Sequence, residues 1–115
     1  MAKVERRITG DFDTFLNYIH KSILSGSISA SFQGGSDFNV NEVRCAVRVY
    51  ERYSIIGSNR LAANITLLGV GDDLSLSIIT SGGSQAVFFK INTFGEEAFA
   101  DKIAGLVNRW VQKNS

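Results

Sequence analysis

The chain has 115 residues, 44% of them hydrophobic and 20% charged, which is the balance of an ordinary globular domain and excludes a disordered segment. Twelve basic residues against eleven acidic leave a formal charge of +1, too little for an affinity that rests mainly on neutralising phosphates. One cysteine excludes an internal disulfide and any multi-cysteine metal site, and no apolar run approaches the ~20 residues of a membrane span.

The opening Met-Ala-Lys-Val-Glu-Arg-Arg has no apolar stretch of the kind a secretory signal needs. A single domain over residues 1–115, cytoplasmic and without a membrane partner, is therefore expected. Proline is absent, so glycine has to make the turns.

Lys3 to Ile8 alternates Val4, Arg6 and Ile8 with Lys3, Glu5 and Arg7, as a charged edge strand does. Gly10 ends it and Asp11 is placed to cap a helix. Phe12, Phe15, Leu16, Ile19 and Ile23 then recur at helical spacing until Ser25-Gly26. Ser27 to Gln33 alternates again, with Ile28, Ala30 and Phe32 on one side and serines on the other, and Gly34-Gly35-Ser36-Asp37 reads as a turn.

A long strand is expected from Phe38 to Tyr53. Val43, Cys45, Val47 and Val49 are taken as its inner face, with Glu42, Arg44, Ala46, Arg48, Tyr50 and Arg52 outward. Phe38 and Val40 have the opposite parity from Val43, which predicts a bulge or twist between Asn39 and Glu42. Gly57-Ser58-Asn59 turns into a strand whose inner face is Leu61, Ala63, Ile65 and Leu67. Gly69-Val70-Gly71-Asp72-Asp73 makes a hairpin into the strand of Leu74, Leu76 and Ile78.

Gly82-Gly83 then turns into a last strand over Ala86 to Ile91. Ser81 to Ser84 is read as this turn in preference to an anion-binding nest, because it precedes a strand and lacks the P-loop spacing. Thr93 and Glu96 have the spacing of a capping box, and Phe99, Ile103, Leu106 and Trp110 form one helical stripe. The order implies an α+β fold, β-α-β(4-5)-α: a curved antiparallel sheet with two helices on one face. TATA-binding-protein-like and helix-grip sheets both share that order.

The outward face of the long strand is the candidate binding surface, with Arg44, Arg48, Tyr50 and Arg52 on one side, where successive same-face positions are about 7 Å apart, and Arg60 added to them. Such a basic face with an aromatic would suit single-stranded nucleic acid or an acidic partner, although solvated cover is the commoner use of strand arginines. His20 is expected as an exposed helix residue and Cys45 as a buried apolar one. No Ser/His/Asp, Cys/His, metal-ligand or nucleotide-binding set can be assembled. No catalytic residue, metal or cofactor is therefore expected, and an enzyme ranks last.

Two runs carry a resemblance: Arg44-Cys-Ala-Val-Arg-Val-Tyr-Glu-Arg-Tyr53 and Ser81-Gly-Gly-Ser-Gln-Ala-Val-Phe-Phe-Lys-Ile-Asn-Thr-Phe-Gly-Glu-Glu-Ala-Phe99. Both resemble a family of small single-domain bacterial proteins classed only as a domain of unknown function. The resemblance implies a stand-alone cytoplasmic protein and carries no activity or site residue with it. The leading expectation is a non-enzymatic module that uses its sheet to bind a small molecule or a protein. In a helix-grip arrangement its pocket would lie among Trp110, Phe99, Phe89 and the inner residues of the long strand. A homodimer of stacked sheets is the second expectation, and nucleic-acid binding is the third.

Overall fold

The computed structural model describes residues 1–26, 30–54, 59–82 and 89–113. Its elements are β1 (Ala2–Thr9), α1 (Phe12–Gly26), β2 (Ala30–Val40), β3 (Val43–Ser54), β4 (Asn59–Val70), β5 (Asp73–Gly82) and α2 (Phe89–Lys113). The strands form one antiparallel sheet in the order β1-β5-β4-β3-β2, and the helices pack on one face of it. This is the expected α+β class. No described helix is long and apolar enough to cross a membrane.

The first helix starts where its cap predicts. A side-chain oxygen of Asp11 accepts from the Thr14 backbone N–H at 2.9 Å and from the Thr14 hydroxyl at 2.8 Å. These donors favour the ionised form and hold the Asp11 carboxyl below its ordinary 3.8. Phe12, Phe15, Ile19 and Ile23 are buried along one stripe. The helix ends at Gly26, whose carbonyl accepts from the Lys102 ammonium of α2.

The α2 stripe is also as expected: Phe99, Ile103, Leu106 and Trp110 are buried, with Val107 beside them. The Trp110 ring meets Phe15 edge-on at 5.4 Å and Tyr18 at 5.3 Å, and the Tyr18 hydroxyl donates to the Leu106 carbonyl at 2.6 Å. Beneath α1, Gly69 of β4 leaves room for an aromatic. A Cβ there would lie 2.6 Å from Phe12 Cδ2. The Arg44 guanidinium stacks over the same Phe12 ring at 4.2 Å and is held by both oxygens of Asp13 at 2.9 Å.

Several expectations are corrected. Gly34-Gly35-Ser36-Asp37 is not a turn but part of β2, which runs on to Val40. The chain reverses instead at Asn41-Glu42, where Asn41 takes φ 54°, a left-handed conformation that asparagine tolerates. The parity change between Val40 and Val43 is thus a hairpin, with those two residues directly opposed, and not a bulge within one strand. The helix α2 begins at Phe89, so residues 89–91 are helical and Thr93 lies inside the helix, not at its cap. A short apolar run such as Ala86 to Ile91 suits a strand or a buried helix equally by periodicity. The expected positions at Ile28, Gly57-Ser58, Gly83-Ser84 and Ala86 to Phe88 lie outside the described residues.

The largest correction is to β3, whose faces are exchanged. Leu61, Ala63, Ile65 and Leu67 of β4 are buried, as the sequence indicates, under the helices. Their opposite numbers on β3 are Arg52, Tyr50, Arg48 and Ala46. Directly paired residues share a face, so these four point to the helix side with Arg44. Ala46 and Tyr50 are core residues, 1% and 0% exposed. Val43, Cys45, Val47 and Val49 lie half-buried on the helix-free face.

Gly69→Ala should force Phe12 or β4 to move and lower stability by about 1–3 kcal/mol. Urea unfolding of the two proteins measures the difference, and an unchanged midpoint would contradict the packing described.

Candidate ligand cleft beside the first helix

The β2–β3 hairpin meets α1 over a cleft of about 460 Å³ lined by Leu16, Asn17, His20, Phe32, Gly35, Asp37 and Arg48. Its floor is aromatic. Phe32 stands opposite Tyr50 across the two strands, with ring centroids 5.6 Å apart. His20, reaching over from α1, meets Phe32 edge-on at 5.1 Å and Tyr50 at 5.7 Å. Tyr50 is fully buried, whereas Phe32 keeps 45% of its surface exposed and forms the part of the floor a ligand could touch.

The Tyr50 hydroxyl lies 2.7 Å from His20 Nδ1. Burial pushes the phenol from 10 up to about 12, against a smaller opposing effect of the Arg48 charge. Tyr50 therefore stays neutral at ordinary pH. The contact orients the His20 ring; where the phenol donates to Nδ1, a neutral imidazole carries its proton on Nε2 and that nitrogen is the donor.

Arg48 forms one wall. One terminal nitrogen donates to both Asp37 oxygens at 3.0 and 3.3 Å, and the other donates to the carbonyls of Val47 at 2.9 Å and Ser36 at 3.3 Å. Gly35 permits this course across the backbone. A Cβ there would lie 2.3 Å from the Val47 carbonyl oxygen and 2.9 Å from Arg48 Cδ. The register of β2 against β3 shifts between Phe32 and Gly34. Without that shift Phe32 and Asp37, an odd number of residues apart, would face opposite sides of the sheet. The bulge gathers them on one.

The five arginine and tyrosine positions expected on an outer face are distributed differently. Arg44, Arg48, Tyr50 and Arg52 do share one face, but it is the helix side. Arg44 is engaged by Asp13, which raises the arginine above its ordinary value and lowers the aspartate below its own. Arg52 lies 5.6 Å from the Phe99 ring. Arg60 is on the other face of the sheet, 3.6 Å from Glu51.

His20, expected as an exposed helix residue, is half-buried in the cleft, and Asn17, Asp37 and Gly35 were not expected there. Leu16 and His20, four apart on one flank of the α1 stripe, were the available signal. Phe99 and Trp110, expected around a pocket, are buried in the core. Among the described residues no group of three or more His, Cys, Asp or Glu is placed to hold a metal ion.

The chain belongs to a family of unknown function (DUF6054), whose model matches residues 1–111. No curated protein and no solved structure matches it.

Burial of the Tyr50 phenol makes stability depend on pH at the alkaline end. The folded state prefers the neutral phenol, so this contribution to stability is complete below pH 10 and is lost as pH rises from 10 towards 12. Stability measured across that range should fall more steeply for the wild type than for Tyr50→Phe. The variant itself, lacking the bond to His20, should be about 1 kcal/mol less stable at neutral pH. Parallel alkaline limbs would show that Tyr50 is not buried as described.

Proposed function

We propose that this protein is a non-enzymatic binding module that takes a small ligand in the cleft between α1 and the β2–β3 hairpin. The observation that carries the reading is the convergence, around one cleft, of an exposed Phe32 ring, a His20 oriented by Tyr50 and the Arg48–Asp37 pair. These groups suit binding better than chemistry. Tyr50 is held neutral, and both terminal nitrogens of Arg48 already donate to fixed oxygens. A ligand with an apolar or aromatic part for Phe32 and a hydrogen-bond acceptor for His20 or Asn17 fits this surface.

The alternative, single-stranded nucleic acid or an acidic partner on an arginine-lined sheet, has less support. Its ladder of arginines would have to leave Asp13, Asp37 and the Phe99 ring to meet phosphates.

A panel of small aromatic and aliphatic carboxylates, amides and alcohols tests the proposal by ¹H–¹⁵N chemical-shift mapping. Binders should move the amides of Asn17, His20, Phe32 and Gly35 together, and Phe32→Ala should weaken them by about tenfold or more. A panel without such shifts, or binders unaffected by Phe32→Ala, would defeat it.

A further inference from the structure

The helix-free face of the sheet is built unlike a solvent face. An antiparallel sheet with one face bare normally turns polar side chains to water. Here the turn-end corner of that face holds Phe38 and Val40 of β2, Val43 and Cys45 of β3, and Leu68 and Val70 of β4. Phe38 is 57% exposed, Val40 66%, Leu68 42% and Val70 46%. These side chains are neighbours across paired strands, so they form one continuous patch and not scattered apolar residues.

The charge distribution sharpens the point. From Val43 to Val49, from Asn64 to Val70 and from Ser75 to Ile79, no position on this face carries a charge. Charges return at the margins: Lys3, Glu5 and Arg7 along β1 on one side, with Arg7 paired to Asp73 at 3.0 Å, and Arg60 with Glu51 at 3.6 Å at the far end. An uncharged centre with a charged rim is the anatomy of a protein interface.

We propose that this face is the contact through which two copies of the chain associate, sheet against sheet. A second copy is the occupant that fits. It brings another uncharged face, so no carboxylate or ammonium is buried against the valines without a partner. Both rims mix charges of opposite sign, Lys3, Glu5, Arg7 and Asp73 on one side and Arg60 and Glu51 on the other, and with a chain charge of +1 they leave no like-charge block to oppose the approach. The size is also adequate. Four strands about 4.8 Å apart, each running about seven residues at about 3.4 Å with every second one turned to this face, span roughly 20 Å by 20 Å. Two such faces of roughly 400 Å² bury roughly 800 Å² in projection, close to the about 1,000 Å² total that a specific interface clears, before side-chain relief is added. The proposal does not depend on the cleft, which lies on the other side of the sheet.

Sedimentation equilibrium from low micromolar to several hundred micromolar tests it. The wild type should approach twice the 12.6 kDa mass of the chain. Leu68→Lys and Val70→Lys change exposed positions and should leave the far-UV spectrum and melting temperature nearly unaltered. Each should weaken association by roughly 100-fold, because two copies of the new charge enter one apolar contact. Cys45 supplies a second reading: its rate of reaction with a thiol reagent should fall as protein concentration rises. A wild type that stays monomeric throughout overturns the proposal. So does a dimer that persists in both variants, which would point instead to pairing along the β2 edge.

Discussion

The register of β3 on β4 is the constraint on which the rest of the molecule depends. Tyr50 stands opposite Ala63 and Ala46 opposite Leu67, so large and small side chains alternate across the pair. That alternation lets a tyrosine ring lie in the core without displacing the helices. Once Tyr50 is committed to the helix side, every second residue of β3 follows it. Arg44, Arg48 and Arg52 are carried under the helices and the valines are turned to the open side.

An arginine beside a core is tolerable because its long stem is apolar and only its end is charged. Arg44 lays its guanidinium on Phe12 and reaches Asp13 on α1; Arg48 crosses Gly35 and reaches Asp37 on β2. These pairs are partly open to water and add little to stability individually. Their effect is positional. Arg44 ties the start of α1 to the sheet, and Arg48 fixes the wall of the cleft that the bulge after Phe32 opens.

Much of the fold was legible in the sequence where one face of an element meets water. The α1 stripe, the Asp11 cap, the Phe99 to Trp110 stripe and the inner faces of β4 and β5 all follow from apolar spacing. β3 was misread because both its faces are serviceable: valines alternate with arginines, and only pairing with a neighbour decides which set goes inward. Gly34-Gly35 looked like a turn because glycine has two uses, and here Gly35 makes space for the side chain of Arg48, far along the sequence on the next strand. The cleft was less legible still. His20 and Tyr50 are thirty residues apart, and the bulge that gathers Phe32 with Asp37 is marked only by Gly34-Gly35, a pair that reads equally well as a turn.

The sheet order also sets an order of events. β2, β3, β4 and β5 are consecutive in both sequence and space, and the hairpins at Asn41-Glu42 and at Gly71-Asp72 close with little loss of chain entropy. β1 is different: it pairs with β5 more than sixty residues away. Its docking must follow synthesis of nearly three-quarters of the chain, so loop-closure entropy puts the first strand made among the last to be placed. Until then the backbone of β5 has an open edge, and the charged side chains of Lys3, Glu5, Arg6 and Arg7 keep the waiting strand soluble.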